Sequence, residues 1–471
     1  MNDYCKIAIP WALGCCIATL AQAQIVQQAP SFVPPTPTNA LSNASSNPLS
    51  APIPLPAPRN TAAATETLQS SIALQALSDQ VMNPQVVEWT LDQAVAMAIS
   101  NHPSLREARA AIDEARGFAY QAGLYPNPRI DSGNPQTLGG ANSVYSFGVT
   151  QEVIRGGKRQ LDVAAAERAV QRSQFEYMQR QYALITDVRQ AFVAVLASQE
   201  RIRILELLLA VARELEQTSD NLVKAGQSSE ADLLLLRLER RRAETTLQAT
   251  RAELEGRRAL LAAQIGLPEF PIRNVLGDLM MAIPNYESIL LDEQVIDQNA
   301  GINAGRSEVA RSRELLQRAI VEPIPNVTVQ GGTQYTVSQP HEQALVGVYV
   351  DIPIWNRNQG NIRAAESTVR KVSAAVSTAR TEIAKRLADA LARYRAAGRQ
   401  VESYETGILP DARRTLELVR SGYDRGQFDI VRLVQAQRSV FEVSLEYIQA
   451  LELRLNAAAE ISGLLQSDVF P

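Results

Sequence analysis

The sequence predicts a mostly helical α+β chain in which pairs of strands alternate with long helices. Three observations support this fold class: the composition, an internal repeat, and a long stretch without glycine or proline. Only 5% of the 471 residues are aromatic, and alanine, leucine, glutamate, arginine and glutamine fill long stretches, which is typical of long helices. The 46 basic and 50 acidic residues argue against a nucleic-acid partner, because such proteins carry a clear positive excess.

Residues 1–23 are predicted to be a signal peptide, since an apolar run precedes the small-residue cleavage site Ala21-Gln22-Ala23. An alternative interpretation takes Cys15 as the acylated residue of a lipoprotein box. All three cysteines lie within the first 16 residues, so cleavage after Ala23 would leave none. Residues 24–87 are predicted to be a disordered or extended tether, because no residue from 24 to 58 is charged and proline, serine and asparagine are frequent.

A repeat of about 200 residues is the strongest feature of the sequence. Ser146-Phe147-Gly148-Val149-Thr150 recurs as Leu345-Val346-Gly347-Val348-Tyr349, at an offset of 199. The same offset carries three further residues onto chemically similar or identical ones, namely Glu152 onto Asp351, Lys158 onto Arg357, and Asn127 onto Asn326. We therefore predict two repeats, over residues 88–275 and 276–466.

Each repeat is expected to begin with short helices and a pair of strands. Thr90-Leu91-Asp92-Gln93 is a capping box, and a second helix is predicted from Ser104 to Ala122, ending at Gly123. Strands are predicted at 129–137, 143–152, 327–335 and 345–352. In three of them apolar residues alternate with small or polar ones, and the apolar positions predicted to face lipid are Tyr145, Phe147, Val149, Val346, Val348 and Val350.

A very long helix is predicted to follow each strand pair. Residues 158–225 contain no glycine or proline, and such a helix reaches about 100 Å. Val188, Val195, Ile202 and Leu209 recur every seven residues, a coiled-coil period. Gly226 is expected to end the helix, and a second helix to return over residues 228–265. In the second repeat the long helix is predicted from Asn361 to Arg425, with bends at Gly398, Gly407 and Pro410 and a turn at Gly426.

These elements indicate how the chain could cross a membrane. After the signal peptide the sequence has no run of 18 apolar residues, so a transmembrane helix is not expected. A spanning segment would then have to be a closed barrel. Four strands cannot close one, because membrane barrels have at least about eight. Several copies of the chain would have to contribute strands.

From residue 88 to residue 466 the chain resembles the bacterial outer-membrane efflux proteins of the TolC type. The resemblance rests on the double pattern of strand pair, long helix and glycine turn, on Pro126-Asn127-Pro128, and on Lys224-Ala225-Gly226-Gln227. The segment Gly156-Gly157-Lys158-Arg159 is similar to the heavy-metal branch that includes CzcC. The resemblance implies a homotrimer with a 12-stranded β-barrel in outer-membrane lipid and an α-barrel of coiled-coil helices in the periplasm.

The resemblance also implies where partners bind. The helical tips would contact a periplasmic adaptor, also called a membrane fusion protein, which links the duct to an inner-membrane pump; the tip residues are Lys224, Ala225, Gly226, Gln227, Asp424, Arg425, Gly426 and Gln427. Well-known members carry aspartates at the narrow gate, where this chain has Arg432 and Gln435. Asp232 and Asp429 are the acidic alternatives, and the spacing of Asp429 and Arg432 predicts an ion pair between their side chains.

The function expected from these features is that of a passive outer-membrane exit duct of a tripartite efflux pump of the RND type. The cargo stays open between heavy-metal cations and organic compounds. A periplasmic coiled-coil adaptor or scaffold without a barrel is the alternative interpretation. No catalytic constellation, cofactor site or metal site is expected, because the two histidines, His102 and His341, lie 239 residues apart without a nearby motif; both are interpreted as surface or capping residues, His341 in a loop between two strands.

Overall fold

The computed structural model describes residues 88–133, 143–281, 283–284, 286, 296–467 and 470. The predicted signal peptide (1–23), the tether (24–87), the candidate lipidation site Cys15 and residues 134–137 of the first predicted strand lie outside the described residues. The strands are β1 (Glu88–Trp89), β2 (Arg129–Gly133), β3 (Val144–Val153), β4 (Asn274–Val275), β5 (Val327–Thr336) and β6 (Gln339–Val350). The longer helices are α1 (Leu91–Asn101), α2 (Pro103–Ala122), α3 (Lys158–Lys224), α4 (Glu230–Ile265), α5 (Ala300–Val321), α6 (Gln359–Ser403), α7 (Leu409–Asp424) and α8 (Ile430–Leu465).

Helices α1 and α2 begin at caps that the sequence encodes locally. The Thr90 side chain accepts from the amide of Gln93, and the Gln93 side chain accepts from the amide of Thr90 at 3.1 Å, which confirms the capping box. His102 caps α2, because its ring nitrogen accepts from the amide of Ser104 at 3.2 Å. The helix begins at Pro103, one residue earlier than predicted, since proline is well tolerated at the first helical position.

Four strands form one antiparallel sheet in the order β2-β3-β5-β6. Strand β6 begins at Gln339, six residues before the predicted start, because Thr336 already pairs with Gln339 across a tight turn. His341 therefore lies within a strand and not in a loop, which corrects the prediction. The alternation of apolar and polar residues did not predict this part of the strand, because the residues around Pro340 are polar. Proline is compatible with it because β6 is an edge strand of the single chain.

Helix α3 is 67 residues long and confirms the predicted long helix. Of the heptad positions, Val188, Val195 and Leu209 are buried and Ile202 is half-buried. These side chains belong to hydrophobic clusters in which α3 packs against α4 and α8. Within the described residues, no helix combines the length and the apolar character that a membrane crossing needs.

In the second half of the chain the described residues form a helix, the strand pair β5-β6 and a long helix in that order, but the long helix is interrupted. Helix α6 continues through Gly398 without interruption. The interruption is a π-helical turn over Tyr404–Ile408, which is followed by Leu409 and Pro410. Its widened ladder, in which the amide of Leu409 bonds the carbonyl of Tyr404, accommodates a proline that has no amide hydrogen and that crowds the preceding turn.

Crossed side-chain bonds attach this π turn to α8. The Tyr404 hydroxyl donates to Glu446 at 3.1 Å, and the Tyr447 hydroxyl donates to Glu405 at 2.7 Å. The two tyrosine rings meet edge to face with centroids 6.3 Å apart. Burial, and then the bond to Glu405, raise the pKa of Tyr447. The turn is therefore tied to α8 by neutral tyrosines over the ordinary pH range.

Candidate functional site

The sheet has one face that is apolar and exposed. The cross-strand register places Ile130, Val149, Gly331 and Val346 in one row across all four strands. The side chains of Phe147, Val346 and Val348 are 55%, 78% and 63% exposed. All six residues predicted to face lipid lie on this face and are exposed in the single chain, namely Tyr145, Phe147, Val149, Val346, Val348 and Val350. A soluble sheet would cover such a surface with a second layer.

The opposite face of the sheet is polar and internally hydrogen bonded. The Thr150 hydroxyl donates to Asp131 at 2.5 Å, and the Tyr349 hydroxyl donates to Gln330 at 3.0 Å. His341 and Gln343 are 3.1 Å apart on the same face, near its far end. This face matches the polar interior of a water-filled membrane barrel.

A cluster of polar groups connects the sheet to α3. Asn326, just before β5, donates to the Glu152 carboxylate at 2.7 Å and accepts from Lys158 at 3.2 Å and from the amide of Arg155 at 3.3 Å. The Lys158 side chain is only 4% exposed. We call these contacts the Asn326 junction. Sequence reasoning noted the Gly-Gly-Lys-Arg segment but not its partner, because Asn326 lies 168 residues further along the chain.

Both helical tips turn at a glycine with left-handed backbone. Gly226 and Gly426 each have φ of +71°. In both turns the residue after the glycine bonds back to a helix carbonyl, from Gln227 to Leu222 and from Gln427 to Gly422, each at 2.8 Å, as in a Schellman motif. The predicted tip residues 224–227 and 424–427 are exposed. The tips therefore present one backbone shape with different side chains.

The gate candidates lie in the first turns of the returning helices. Asp429 caps α8 by accepting from the amide of Arg432 at 3.1 Å. The Arg432 guanidinium lies over the Phe428 ring, 5.1 Å from its centroid. No ion pair joins the two side chains in the described part of the single chain, and their pairing in the assembled gate stays a prediction. Gln435 is exposed, and Asp232 is half-buried in the first turn of α4.

The two helical hairpins are held together differently. Ion pairs cross from α3 to α4 at several levels, among them Arg213–Glu244 at 3.3 Å, Arg240–Glu216 at 2.5 Å and Arg251–Glu206 at 2.6 Å. Between α7 and α8 the described residues form no such pair, and in the second hairpin the ion pairs run from Arg386 and Arg393 of α6 to Glu460 of α8, at 3.7 and 2.7 Å. These bonds depend on the alignment of two helices, so the sequence alone does not predict them, unlike the local i,i+3 pair Arg203–Glu200 at 2.8 Å.

Helix α8 is attached to the first hairpin by a buried carboxylate. Glu452 accepts from Arg201 of α3 at 2.6 Å and from Arg257 of α4 at 2.9 Å. All three side chains are less than one-fifth exposed. Within the described ranges, no group of three or more His, Cys, Asp or Glu side chains is placed to hold a metal ion.

Comparisons with known proteins agree with this geometry. The sequence pattern of the family described as outer membrane efflux protein matches residues 94–267 and 291–466. The chain is 25% identical to the cobalt-zinc-cadmium resistance protein CzcC of Cupriavidus metallidurans, over 80% of this chain and 90% of that protein. It is also 25% identical to the nickel-cobalt-cadmium resistance protein NccC of Alcaligenes xylosoxydans xylosoxydans, over 62% of this chain and 66% of that protein.

Solved structures share the fold. The crystal structure of CusC has a TM-score of 0.70 at 17% identity and covers 81% of this chain and 92% of its own. The open state of the Neisseria gonorrhoeae MtrE outer membrane channel has a TM-score of 0.68 at 18% identity and covers 81% of this chain and 89% of its own. A periplasmic adaptor or scaffold without a barrel, the alternative interpretation, does not agree with these matches. The chain belongs to the outer membrane efflux protein family and resides in the outer membrane, from which it extends into the periplasm.

Proposed function

We propose that the chain forms a homotrimeric exit duct, the outer-membrane part of a tripartite efflux pump. The observation that carries the proposal is the four-stranded sheet, which has an exposed apolar face, a hydrogen-bonded polar face and two unpaired edges. Three copies would close 12 strands into a barrel, with the apolar face toward lipid and the polar face toward water. The number three comes from the family resemblance.

Each chain would contribute two repeats, over residues 88–275 and 276–466, which the two matched segments support. Helices α3 and α6 would form the wall of a periplasmic tunnel. The exposed tips at 224–227 and 424–427 would contact a periplasmic adaptor, which connects the duct to an inner-membrane pump. The reaction is transport alone, with no bond made or broken by this chain.

We further propose that the cargo is a divalent heavy-metal cation. The names of two relatives specify cobalt, zinc, cadmium and nickel resistance. Among the described strand residues on the polar face, Asp131 and Glu152 outnumber Arg129, which pairs with Asp131 at 3.1 Å; the remaining negative charge favours passage of cations. A strain that lacks the chain should lose resistance to these metals. If returning the chain to that strain restores growth only in the presence of an organic antibiotic, and not in the presence of the metals, the cargo is a different one.

Changes at the tips test the pump assignment. Gly226→Val and Gly426→Val should abolish metal resistance while trimers still reach the outer membrane, because a β-branched residue disfavours a left-handed turn. Gly256→Val is a matched control, since Gly256 lies in the middle of α4 with nothing within 4 Å of the added carbon. Full resistance in both tip variants would contradict the assignment of the tips as adaptor contacts.

The gate would lie around Arg432, which is exposed in the single chain. Three copies of this guanidinium near the axis would repel one another, with Asp429 and Asp232 as the nearby carboxylates. Arg432→Ala should raise the conductance of the purified trimer in planar bilayers, and Gln435→Ala, one helical turn further along, serves as the comparison. An unchanged conductance together with strong block by divalent cations would instead indicate an acidic gate at Asp232.

A further inference from the structure

The two helical tips have the same backbone but opposite charges. An offset of 200 residues aligns the turn at Gly226 with the turn at Gly426. Four equivalent positions near the tips carry charges of opposite sign, namely Glu214 and Arg414, Asp220 and Arg420, Lys224 and Asp424, and Asp232 and Arg432. Since the backbone of the turn is copied and the charges are reversed, charge is what distinguishes one tip from the other.

The first tip presents negative charge. Residues 220–232 carry three carboxylates and one lysine. That lysine, Lys224, is already engaged, because it pairs with Asp220 at 2.5 Å. Glu230 is exposed and Asp232 is half-buried, and within the described residues no ion pair engages either of them. Two carboxylates are therefore left for a partner.

The second tip presents positive charge. Residues 420–432 carry three arginines and two carboxylates. One of these carboxylates, Asp429, accepts from the backbone amide of Arg432 as a helix cap. Arg420 and Arg425 are exposed, and in the part of the chain that the structure describes neither forms an ion pair. Stabilisation of a helix terminus does not explain the difference between the tips, because both returning helices begin with the same polarity but only α4 has carboxylates in its first turn.

We propose that the periplasmic adaptor binds the two tips through two different surfaces, a basic one at the first tip and an acidic one at the second. This inference rests on the proposed duct and specifies the chemistry of its partner. In a trimer with two tips per chain, the tips alternate in sign around the axis. A partner ring that matches this alternation fits at three rotational positions, because rotation by one tip would oppose like charges. The charges therefore set the rotational register of docking.

The position of these charges favours a partner beyond the tips over a neighbouring hairpin. Asp424 and Arg425 belong to the turn itself, and Glu230 lies four residues after the glycine of the other turn. A neighbouring hairpin lies beside a tip and covers its flank, whereas a partner that docks end-on covers the turn. The hairpins of one chain come close where Leu236 and Val434 line one groove. Even there, no ion pair among the described residues crosses from α3 or α4 to α7 or to the first half of α8.

Charged thiol reagents measure the sign of each tip without the partner. Gln227 and Gln427 are equivalent and exposed, and their backbone amides make the turn bonds. The chain has no cysteine after residue 16, so Gln227→Cys and Gln427→Cys each place one thiol at one tip. In the purified trimer, the first thiol should react faster with a cationic methanethiosulfonate than with an anionic one, and the second should show the reverse. The preference should differ by about tenfold between the sites and shrink in 1 M salt, where the Debye length is about 3 Å.

Charge reversal in cells tests the match to the partner. Glu230→Lys combined with Asp232→Lys reverses the first tip. Arg420→Glu combined with Arg425→Glu reverses the second. Each pair should lower metal resistance toward that of a strain without the chain, while the amount of trimer in the outer membrane stays unchanged. Neutral replacement of the first pair by Gln and Asn should lower resistance less, because it removes attraction without adding repulsion. Glu269→Lys is the matched control, since this exposed carboxylate lies between α4 and β4, away from the tips.

Several results would overturn the inference. The first is an equal reagent preference at the two thiols. The second is full resistance in both reversed variants under conditions in which Gly226→Val and Gly426→Val fail, and the third is an equal loss of resistance in Glu269→Lys. Unchanged resistance with raised conductance in planar bilayers would show that the charges pair neighbouring hairpins instead. Full resistance in the glycine variants would contradict the proposed adaptor contact itself.

Discussion

Gly463 of α8 lies close against Thr186 of α3, and its replacement by alanine should destabilise the protein. A Cβ atom at this position would overlap the Thr186 hydroxyl oxygen of α3 and lie 3.2 Å from the Thr186 Cβ. The threonine cannot simply rotate away, because its hydroxyl donates to the carbonyl of Tyr182 at 2.9 Å. Rotation would exchange the overlap for a lost hydrogen bond.

Two opposing effects determine how much Gly463→Ala changes the free energy of unfolding. Alanine gains about 0.5–1 kcal/mol over glycine inside a helix, whereas overpacking costs about 1–3 kcal/mol. We therefore expect Gly463→Ala to lower the free energy of unfolding by about 1–2 kcal/mol. Gly256→Ala, with nothing within 4 Å of the new carbon, should raise it by about 0.5–1 kcal/mol. The two substitutions are chemically identical, so they separate crowding from helix propensity.

The assay is denaturant unfolding in detergent, followed by far-ultraviolet circular dichroism at one fixed protomer concentration, because an oligomer's stability depends on concentration. A double variant completes the test. Thr186→Ala removes the crowding oxygen and should recover most of the stability lost in Gly463→Ala. The close approach of α3 and α8 is not the reason for the glycine if Gly463→Ala is as stable as the wild type or more stable. The same conclusion follows if adding Thr186→Ala recovers none of the lost free energy of unfolding.

Further substitutions test the sheet, the buried carboxylate and the π turn. Phe147→Arg should block insertion into the outer membrane, since a charge on the lipid face costs about 2–4 kcal/mol at mid-bilayer; Ser146→Arg, on the polar face, should insert, and membrane fractionation distinguishes them. Glu452→Gln should cost about 2 kcal/mol in the same unfolding assay, between the values for exposed and fully buried pairs. Because the pKa of Tyr447 is raised in the fold, its stabilisation is complete below about pH 10, the unfolded value, and is lost as the pH rises toward the folded value. Thermal unfolding between pH 9 and about pH 11 should therefore depend less on pH in Tyr447→Phe than in the wild type.

Features that depend on a few neighbouring residues were predictable from the sequence. The capping box at Thr90, the long helix from Lys158 and the glycine turn at Gly226 all lie where local chemistry predicts them. The apolar face of β3 was predictable for the same reason, because alternation is a property of consecutive residues. These features require no knowledge of what the chain packs against.

Features that depend on distant residues were not predictable. The Asn326 junction brings together residues 168 or more positions apart, and no local pattern identifies such partners. The early start of β6 is set by its pairing with β5 and not by its own polar residues. One contact between near neighbours also escaped the sequence pattern: in the single chain the Asp429 carboxylate caps the helix and the Arg432 guanidinium lies over Phe428. The Asp429 carboxylate accepts from the backbone amide of Arg432 and not from its guanidinium.

The unpaired edges of the sheet have a consequence for how the protein reaches its destination. Between export and assembly, each chain carries two open strand edges beside an apolar face on which Val346 and Phe147 are exposed. Such a surface is a template for aggregation in water. Pairing of these edges between copies therefore competes with irreversible aggregation, and the balance between the two depends on chain concentration. Overproduction should therefore raise the fraction of the chain that is recovered in aggregates.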